Sequence, residues 1–181
     1  MIINKDKILI KKLSEIYDLS IFDCGDDDIN SFLKNDALNY QKENLATTTL
    51  FIYVNESTEK IIGFCTLASD CIKLKEDEIL SLAKQTQSKP REFPAIKLAR
   101  FGRDKEFKKN NVGEFILKYV IGLVLNKNED IGVRFLTLDA YENKVSYYEQ
   151  YGFVKNIHEK YKPRNNNSNT ISMRLDLKRQ Y

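Results

Sequence analysis

The sequence contains few of the residues that build metal centres and disulfide frameworks. Its 181 residues include no Trp, one His, three Cys and three Pro, and its aromatic bulk comes from 10 Tyr and 10 Phe. Cys24, Cys65 and Cys71 are odd in number and lack metal-ligand spacing, which predicts reduced thiols. His158 stands alone beyond the other motifs, as is typical of a surface or edge residue. We therefore expect no bound metal.

Long apolar runs and a strong charge bias are also missing. No segment approaches the roughly 18 apolar residues of a membrane-spanning helix. The opening MIINKDKILIKK lacks the hydrophobic core and cleavage site of a signal peptide. These absences predict a cytoplasmic protein with no membrane partner. Hydrophobic residues make up 42% and charged residues 30%, which is typical of a globular protein. The net charge of +3 neither requires nor excludes a polyanionic partner.

The patterns that are present alternate between strands and helices, and the length suits one core, so we expect a single domain over residues 1–181. The crossover over 94–139 predicts two parallel strands in a mixed α/β sheet. The last strand, 170–177, carries apolar residues whose exposure would permit pairing in a homodimer, and 161–169 is predicted to be a turn or mobile loop. Strand patterns cover 8–13, 47–54, 61–72, 94–101, 133–139, 152–157 and 170–177. Helical patterns cover 27–44, 76–86, 112–126 and 142–151.

A polar run precedes the strongest helical pattern, in EFKKNNVGEFILKYV (106–120). The helix begins near Val112, so its unpaired N–H groups and positive dipole end lie next to residues 108–113. Asn111 and Gly113 allow a backbone to approach a phosphate, and two lysines add positive charge. An ordinary polar loop explains the same residues. The position after a parallel strand, where ligands bind in open α/β sheets, favours the phosphate site.

Two segments resemble the GNAT superfamily of acyl-CoA-dependent N-acyltransferases. LARFGRDKEFKKNNVGEFIL (98–117) is similar to the family's strand, pyrophosphate loop and helix, with its Arg/Gln-x-x-Gly-x-Gly/Ala pattern. ENKVSYYEQYGFVK (142–155) is similar to its Asn-x-x-Ala-x-x-Phe-Tyr-x-x-x-Gly-Phe pattern. Lys108 replaces the usual Arg or Gln and Asn111 the first Gly, while Gly113 matches. Asn tolerates positive φ, so the loop can still form.

The resemblance implies a single GNAT-like domain, with a mixed central sheet whose parallel strands splay apart, flanked by helices. It implies acetyl-CoA as the co-substrate, a primary amine as the acceptor and no metal. Tyr148 would be the general acid that protonates the leaving thiolate, and it would contact the cofactor together with Asn143. The resemblance assigns the remaining cofactor contacts to Phe101, Gly102, Arg103, Lys108, Lys109, Asn110, Asn111, Val112, Gly113 and Glu114.

The acceptor is less closely specified. FDCG (22–25), SFL (31–33) and GFCTL (63–67) resemble the branch that includes toxins acetylating aminoacyl-tRNA, which implies tRNA and an antitoxin as partners. A small amine or protein amine stays open, as does a non-catalytic CoA-binding or partner-binding module. Arg100 is compatible with an acceptor pocket and equally with a salt bridge. Basic residues suited to RNA are Arg103, Lys105, Lys108, Lys109, Lys155, Lys160, Lys162 and Arg164.

Overall fold

A computed structural model describes residues 4–56, 58–128, 130–161 and 170–180. In this part of the chain, no helix is both long and apolar enough to cross a membrane. The strands are β1 (Ile8–Lys12), β2 (Thr47–Val54), β3 (Glu59–Ile72), β4 (Phe93–Arg103), β5 (Phe135–Tyr141), β6 (Val154–Lys155) and β7 (Thr170–Asp176). The helices are α1 (Asp27–Ser31), α2 (Ala37–Lys42), α3 (Glu76–Leu82), α4 (Val112–Lys127) and α5 (Val145–Glu149).

The predicted order of elements is confirmed, and the strands form one sheet in the order β1-β2-β3-β4-β5-β7-β6. The single helix predicted over 27–44 is interrupted, because a π-helical turn, Phe32–Asp36, separates α1 from α2. The wider turn allows the adjacent Phe32 and Leu33 to be buried together with Ala37. α1 begins as predicted, since the Asp26 carboxylate accepts the Ile29 N–H at 3.1 Å.

Three other predictions need correction or fall outside the structure. The strand predicted over 152–157 is only Val154–Lys155, because Gly152 turns the chain at φ +84°. The apolar side chains of β7 are not exposed: Met173 and Leu175 are buried, so their exposure gives no reason for dimer pairing. Apart from Tyr161, the loop predicted over 161–169 lies outside the described residues.

β4 and β5 form the parallel pair. Arg134 N–H donates to the Pro94 carbonyl at 2.9 Å, and Lys97 Nζ lies 2.6 Å from Asp139 Oδ2. The residue numbers of the paired residues therefore increase in the same direction along both strands, as parallel pairing requires. The pairs β1–β2, β2–β3, β5–β7 and β6–β7 are antiparallel. The splaying of the parallel strands stays a prediction.

The chain divides into two compact units, and the first contains residues up to Ala68 together with Leu98–Leu123. One face of its strands packs against α1 and α2. On the other face, the Phe51 ring lies 5.2 Å from the ring of Tyr119 on α4. The buried core beneath α1 and α2 consists of Leu13, Phe22, Phe32, Leu33, Ala37, Leu50, Ile52, Ile61 and Phe64.

The second unit contains Ser69–Lys97 and the chain from Val124 onward. β5 pairs with β7 from Phe135↔Asp176 to Tyr141↔Thr170. Two largely buried ion pairs join its elements: Arg134 Nε lies 2.8 Å from Asp176 Oδ1, and Arg174 pairs with Glu78 of α3. The apolar core of this unit consists of Ile72, Leu74, Ala83, Phe93, Ala95 and Phe135.

Candidate active site

The loop between β4 and α4 is anchored by a buried carboxylate. Asp104, which is 2% exposed, donates its N–H to the Ile62 carbonyl at 3.0 Å. Its side chain accepts the N–H groups of Glu106 at 2.9 Å and Asp23 at 3.4 Å. A 3-10 turn, Lys105–Phe107, follows and buries Phe107. The loop thus leaves the strand along a path that hydrogen bonds specify.

The end of the loop presents backbone N–H groups at the start of α4. Asn111 has φ +54°, which is a left-handed conformation that favours glycine. It occupies the position of the first glycine in the family pattern. Its carbonyl accepts the Phe115 N–H at 3.0 Å, the first helical hydrogen bond. The N–H groups of Val112, Gly113 and Glu114 precede that bond and have no intrahelical acceptor. They lie at the positive end of the helix dipole, which suits a bound anion.

Only part of the predicted basic charge at this loop is uncompensated. Lys105 Nζ lies 2.6 Å from Asp23 Oδ2, so Lys105 does not supply the free positive charge predicted from the sequence. Lys108 and Lys109 are exposed, and no carboxylate of the described residues lies within ion-pair distance of them. Lys118 Nζ lies 2.6 Å from Glu114 and lowers the pKa of that carboxyl, which offsets the acidic charge in the first turn. The loop and first turn therefore suit an anionic ligand.

The end of β4 contains the other predicted cofactor residues of the first unit. Phe101 and Arg103 are half-buried, and Arg103 donates to the Asp104 carbonyl at 3.2 Å. Gly102 is buried, and a Cβ built there would lie 2.6 Å from Cε1 of Phe64. Close packing therefore explains this glycine without a ligand.

Arg100 makes the salt bridge that was one of its two predicted roles, but only weakly. Its Nη2 lies 3.7 Å from Asp28 Oδ2, while its guanidinium carbon lies 5.3 Å from the centre of the Phe32 ring. Nη1 donates to the Ala99 carbonyl at 3.1 Å. Nε is buried and, among the described residues, has no hydrogen-bond acceptor. The guanidinium thus retains donor capacity, and its predicted role in an acceptor pocket stays untested.

In the second unit, Tyr148 lies on a short helix that ends in a tight turn. The N–H groups of Tyr151 and Phe153 donate to the Tyr148 carbonyl at 3.0 and 3.3 Å. Gly152 takes φ +84°, a conformation that glycine adopts without steric cost. Phe153 is buried, with its ring centre 5.8 Å from that of Tyr148. This turn explains the spacing of Tyr148, Gly152 and Phe153 in the sequence motif.

The environment of Tyr148 keeps its phenol protonated. Burial disfavours the charged phenolate and raises the pKa of Tyr148 to about 12. The ring of Tyr147 lies against it, with the two centres 5.3 Å apart. Asn143 lies in the 3-10 turn before α5 and is exposed. Near neutral pH, Tyr148 can donate a proton or a hydrogen bond.

The structure brings together most of the predicted residues within each unit. Residues 101–103 and 108–114 form the end of β4, the loop and the start of α4, whereas Asn143 and Tyr148 belong to the second unit. Sequence reasoning missed Asp23 and Asp104, which hold the loop in place. In the sequence, Asp104 stands between Arg103 and Lys105, where an exposed carboxylate would be expected. The sequence therefore gave little indication that Asp104 is buried and anchors the loop.

The sequence model of the acetyltransferase (GNAT) domain matches residues 22–177. The chain belongs to the GNAT acetyltransferase family. This GNAT protein is therefore an enzyme that uses acetyl-CoA as its acyl donor. A search of curated proteins found no significant match to the sequence.

Several solved structures share the fold of this GNAT chain. AtaT complexed with acetyl-methionyl-tRNAfMet has a TM-score of 0.78 and 20% identity, and the alignment covers 96% of each chain. AtaTR bound with AcCoA has a TM-score of 0.76 and 21% identity, again over 96% of each chain. A Tyr-to-Phe mutant of the AtaT toxin bound to the C-terminus of the antitoxin AtaR has a TM-score of 0.73 and 19% identity, over 96% of each chain.

Proposed function

We propose that this enzyme transfers the acetyl group of acetyl-CoA to the amino group of an aminoacyl-tRNA in the cytoplasm, with Tyr148 as general acid. The observation that carries the proposal is the protonated phenol of Tyr148, held on α5 by the turn at Gly152. A residue with this environment can protonate a leaving group without first gaining a proton from water.

The reaction balances with one proton taken up and one released. The neutral acceptor amine attacks the thioester carbonyl carbon, so that a C–N bond forms and the C–S bond breaks. The departing thiolate takes the phenolic proton of Tyr148 and leaves as the free thiol. The nitrogen loses its proton to water, and the Tyr148 phenolate regains one from solvent.

Burial raises both the pKa of the proton donor, Tyr148, and the pKa of the leaving thiol. A phenol with a pKa of about 12 is a weak acid for a thiolate in water, whose thiol has a pKa near 8.5. Removal from water raises the pKa of a thiol as well. In this protein burial raises the pKa of the Cys65 thiol to about 12. A thiolate formed in a comparably dry site would therefore accept the proton readily.

The loop supplies the binding role in this proposal. The pyrophosphate would accept hydrogen bonds from the N–H groups of Val112, Gly113 and Glu114. Lys108 and Lys109 would add charge from exposed positions, and Asn143 would contact the pantetheine arm. In α4 the dipole adds a favourable interaction with the anion. Each of these contacts would raise the affinity for acetyl-CoA, and none of them would select the amine that accepts the acetyl group.

Support for aminoacyl-tRNA comes from the similarity over nearly the whole chain to AtaT in complex with acetyl-methionyl-tRNAfMet. Lys108 and Lys109 are uncompensated cations of the kind that phosphate backbones attract. Lys162 and Arg164, also predicted to contact RNA, lie outside the described residues. The similarity to AtaT bound to the C-terminus of AtaR supports an antitoxin as a further partner.

The decisive experiment compares Tyr148→Phe with the wild type, using radiolabelled acetyl-CoA and a panel of aminoacyl-tRNAs, polyamines and peptides. Phenylalanine keeps the ring and removes only the acidic hydroxyl. We expect transfer to aminoacyl-tRNA in the wild type and a loss of kcat of roughly 10²- to 10⁴-fold in Tyr148→Phe. The dissociation constant for acetyl-CoA, measured by isothermal titration, should stay unchanged.

Tyr151→Phe is the matched control, because it removes a hydroxyl two residues beyond α5 and should retain activity. Equal activity of Tyr148→Phe and the wild type would refute the role of Tyr148. Acetyl transfer only to polyamines or peptides would refute aminoacyl-tRNA as the acceptor. Acetyl-CoA binding without transfer to any amine would instead favour the CoA-binding module.

A further inference from the structure

The FDCG segment (22–25) contains a carboxylate that the proposed chemistry does not use. Asp23 is half-buried in the first unit. Its Oδ1 accepts the Gly25 N–H at 2.8 Å and the Asn30 Nδ2 donor at 2.9 Å. Gly25 takes φ +82°, so the segment turns sharply around this carboxylate. These bonds attach Asp23 firmly to the turn that leads into α1.

Two different groups of Asp23 also hold Lys105, the second residue of the loop between β4 and α4. Its backbone carbonyl accepts the Lys105 N–H at 2.8 Å. Its second carboxylate oxygen, Oδ2, lies 2.6 Å from Lys105 Nζ. The hydrogen bond from Lys105 is the largest of the effects that hold the pKa of Asp23 well below its usual range. Asp23 is therefore ionised at neutral pH, where its carboxylate can pair with Lys105.

In a third connection to the loop, Asp23 is the hydrogen-bond donor. The Asp23 N–H donates to the buried carboxylate of Asp104, which also accepts the Glu106 N–H. Backbone and side chain of Asp23 thus contact both Asp104 and Lys105, the two residues at which the chain leaves β4. The segment proposed to bind pyrophosphate begins three residues after Lys105.

We propose that Asp23 is a positioning residue that holds the β4–α4 loop in the conformation that binds acetyl-CoA. This inference rests on the proposed binding role of residues 108–114. Asp23 does not touch the cofactor; it acts through Lys105 and Asp104. The loop needs such a support because its anion-binding groups are backbone N–H groups, whose directions depend on the path of the chain.

The first experiment measures acetyl-CoA binding and steady-state kinetics for Asp23→Asn. Asparagine can keep an oxygen for the Gly25 N–H, but it has no charge to hold Lys105. We expect the dissociation constant and KM for acetyl-CoA to rise about three- to tenfold, with kcat nearly unchanged. Amide hydrogen exchange of residues 105–113 should accelerate, and the melting temperature should change little. The matched control is Asp18→Asn, which removes an exposed carboxylate whose hydrogen bonds, within the described residues, come from the neighbouring Ser20.

The second experiment tests the route through Lys105 with Lys105→Gln and the double variant. If Asp23 acts through Lys105, the double variant binds acetyl-CoA no more weakly than the weaker single variant. Binding by Asp23→Asn equal to that of Asp18→Asn, or a loss in kcat alone, would overturn the positioning role. If the wild type fails to bind acetyl-CoA, the proposed function fails. Wild-type binding with unaltered binding by Asp23→Asn refutes only this inference.

Discussion

At the residue scale, Asn111 shows how the loop accommodates a departure from the family pattern. Its φ of +54° lies where residues with a Cβ are disfavoured, and asparagine is among the side chains that tolerate it best. Asparagine at this position therefore adopts the left-handed conformation at a lower cost than most other residues that have a Cβ. Asn44 has nearly the same φ, +55°, at the end of α2, which provides a matched position outside the site.

Replacing Asn111 with Gly should retain or strengthen acetyl-CoA binding, because glycine adopts this conformation without strain. Replacing it with Val should weaken binding and destabilise the protein by roughly 1–3 kcal/mol, since a β-branched residue is poorly tolerated at positive φ. Isothermal titration and chemical denaturation measure the two effects.

Asn44→Gly and Asn44→Val serve as controls for backbone strain alone. They should change the free energy of unfolding in the same directions while leaving the affinity for acetyl-CoA unaltered. Weaker acetyl-CoA binding by Asn111→Gly than by the wild type would contradict the interpretation of this position.

At the element scale, α4 packs against the strands of the first unit at a point where no side chain fits between them. A Cβ at Gly63 would lie 2.5 Å from Cδ1 of Ile116 and 2.9 Å from the Gly102 carbonyl oxygen. The carbonyl belongs to the backbone of β4, so it cannot rotate away as a side chain can. The closeness of α4 to the sheet therefore depends on this glycine of β3.

Gly63→Ala should destabilise the protein by roughly 1–3 kcal/mol, because the added methyl forces the helix or β4 to shift. Gly122→Ala is the matched control on α4, where an added Cβ meets no atom within 4 Å outside the helix backbone around it. It should stabilise the protein by up to about 1 kcal/mol, since alanine is the better helix former. Denaturant titration measures both, and a neutral Gly63→Ala would show that the packing relaxes more easily than its geometry implies.

At the scale of the whole molecule, the buried Cys65 thiol and the partly buried Tyr148 phenol link stability to alkaline pH. Burial raises the pKa of the Cys65 thiol from 9.0 to about 12 and that of the Tyr148 phenol from 10.0 to about 12. A group whose pKa is raised by folding contributes stability that is fully present below its unfolded pKa. That contribution is lost as pH rises toward the folded value. The expected windows are therefore pH 9 to 12 for Cys65 and pH 10 to 12 for Tyr148.

Removing either group should make the free energy of unfolding depend less steeply on pH in the window where that group ionises. For Cys65→Ala we expect the free energy of unfolding to decline less steeply above pH 9, by up to about 1.4 kcal/mol per pH unit. Tyr148→Phe should keep the wild-type slope between pH 9 and 10 and become shallower above pH 10. Chemical denaturation at stepped pH gives these slopes, and identical slopes in all three proteins would contradict the linkage.

Much of the fold followed from local patterns. The three-to-four spacing of apolar residues from Val112 placed α4 correctly, and the alternation in 170–177 located β7. The π-helical turn at Phe32–Asp36 was not predictable in this way, because it depends on which side chains the sheet has room to bury. The burial of Met173 and Leu175 likewise depends on the elements that cover β7.

For the candidate site, the chemical groups could be predicted from local motifs: a tyrosine spaced from a glycine turn, and a basic loop before a helix. Such short motifs depend on neighbouring residues, so their local geometry is specified in the chain. Which charges remain free depends on tertiary contacts. Asp23 lies 81 residues from Asp104, yet the two are hydrogen-bonded, and Lys105 is neutralised while Lys108 is not. The burial and pairing of charges depend on folding, which brings distant carboxylates and cations within a few ångströms of each other.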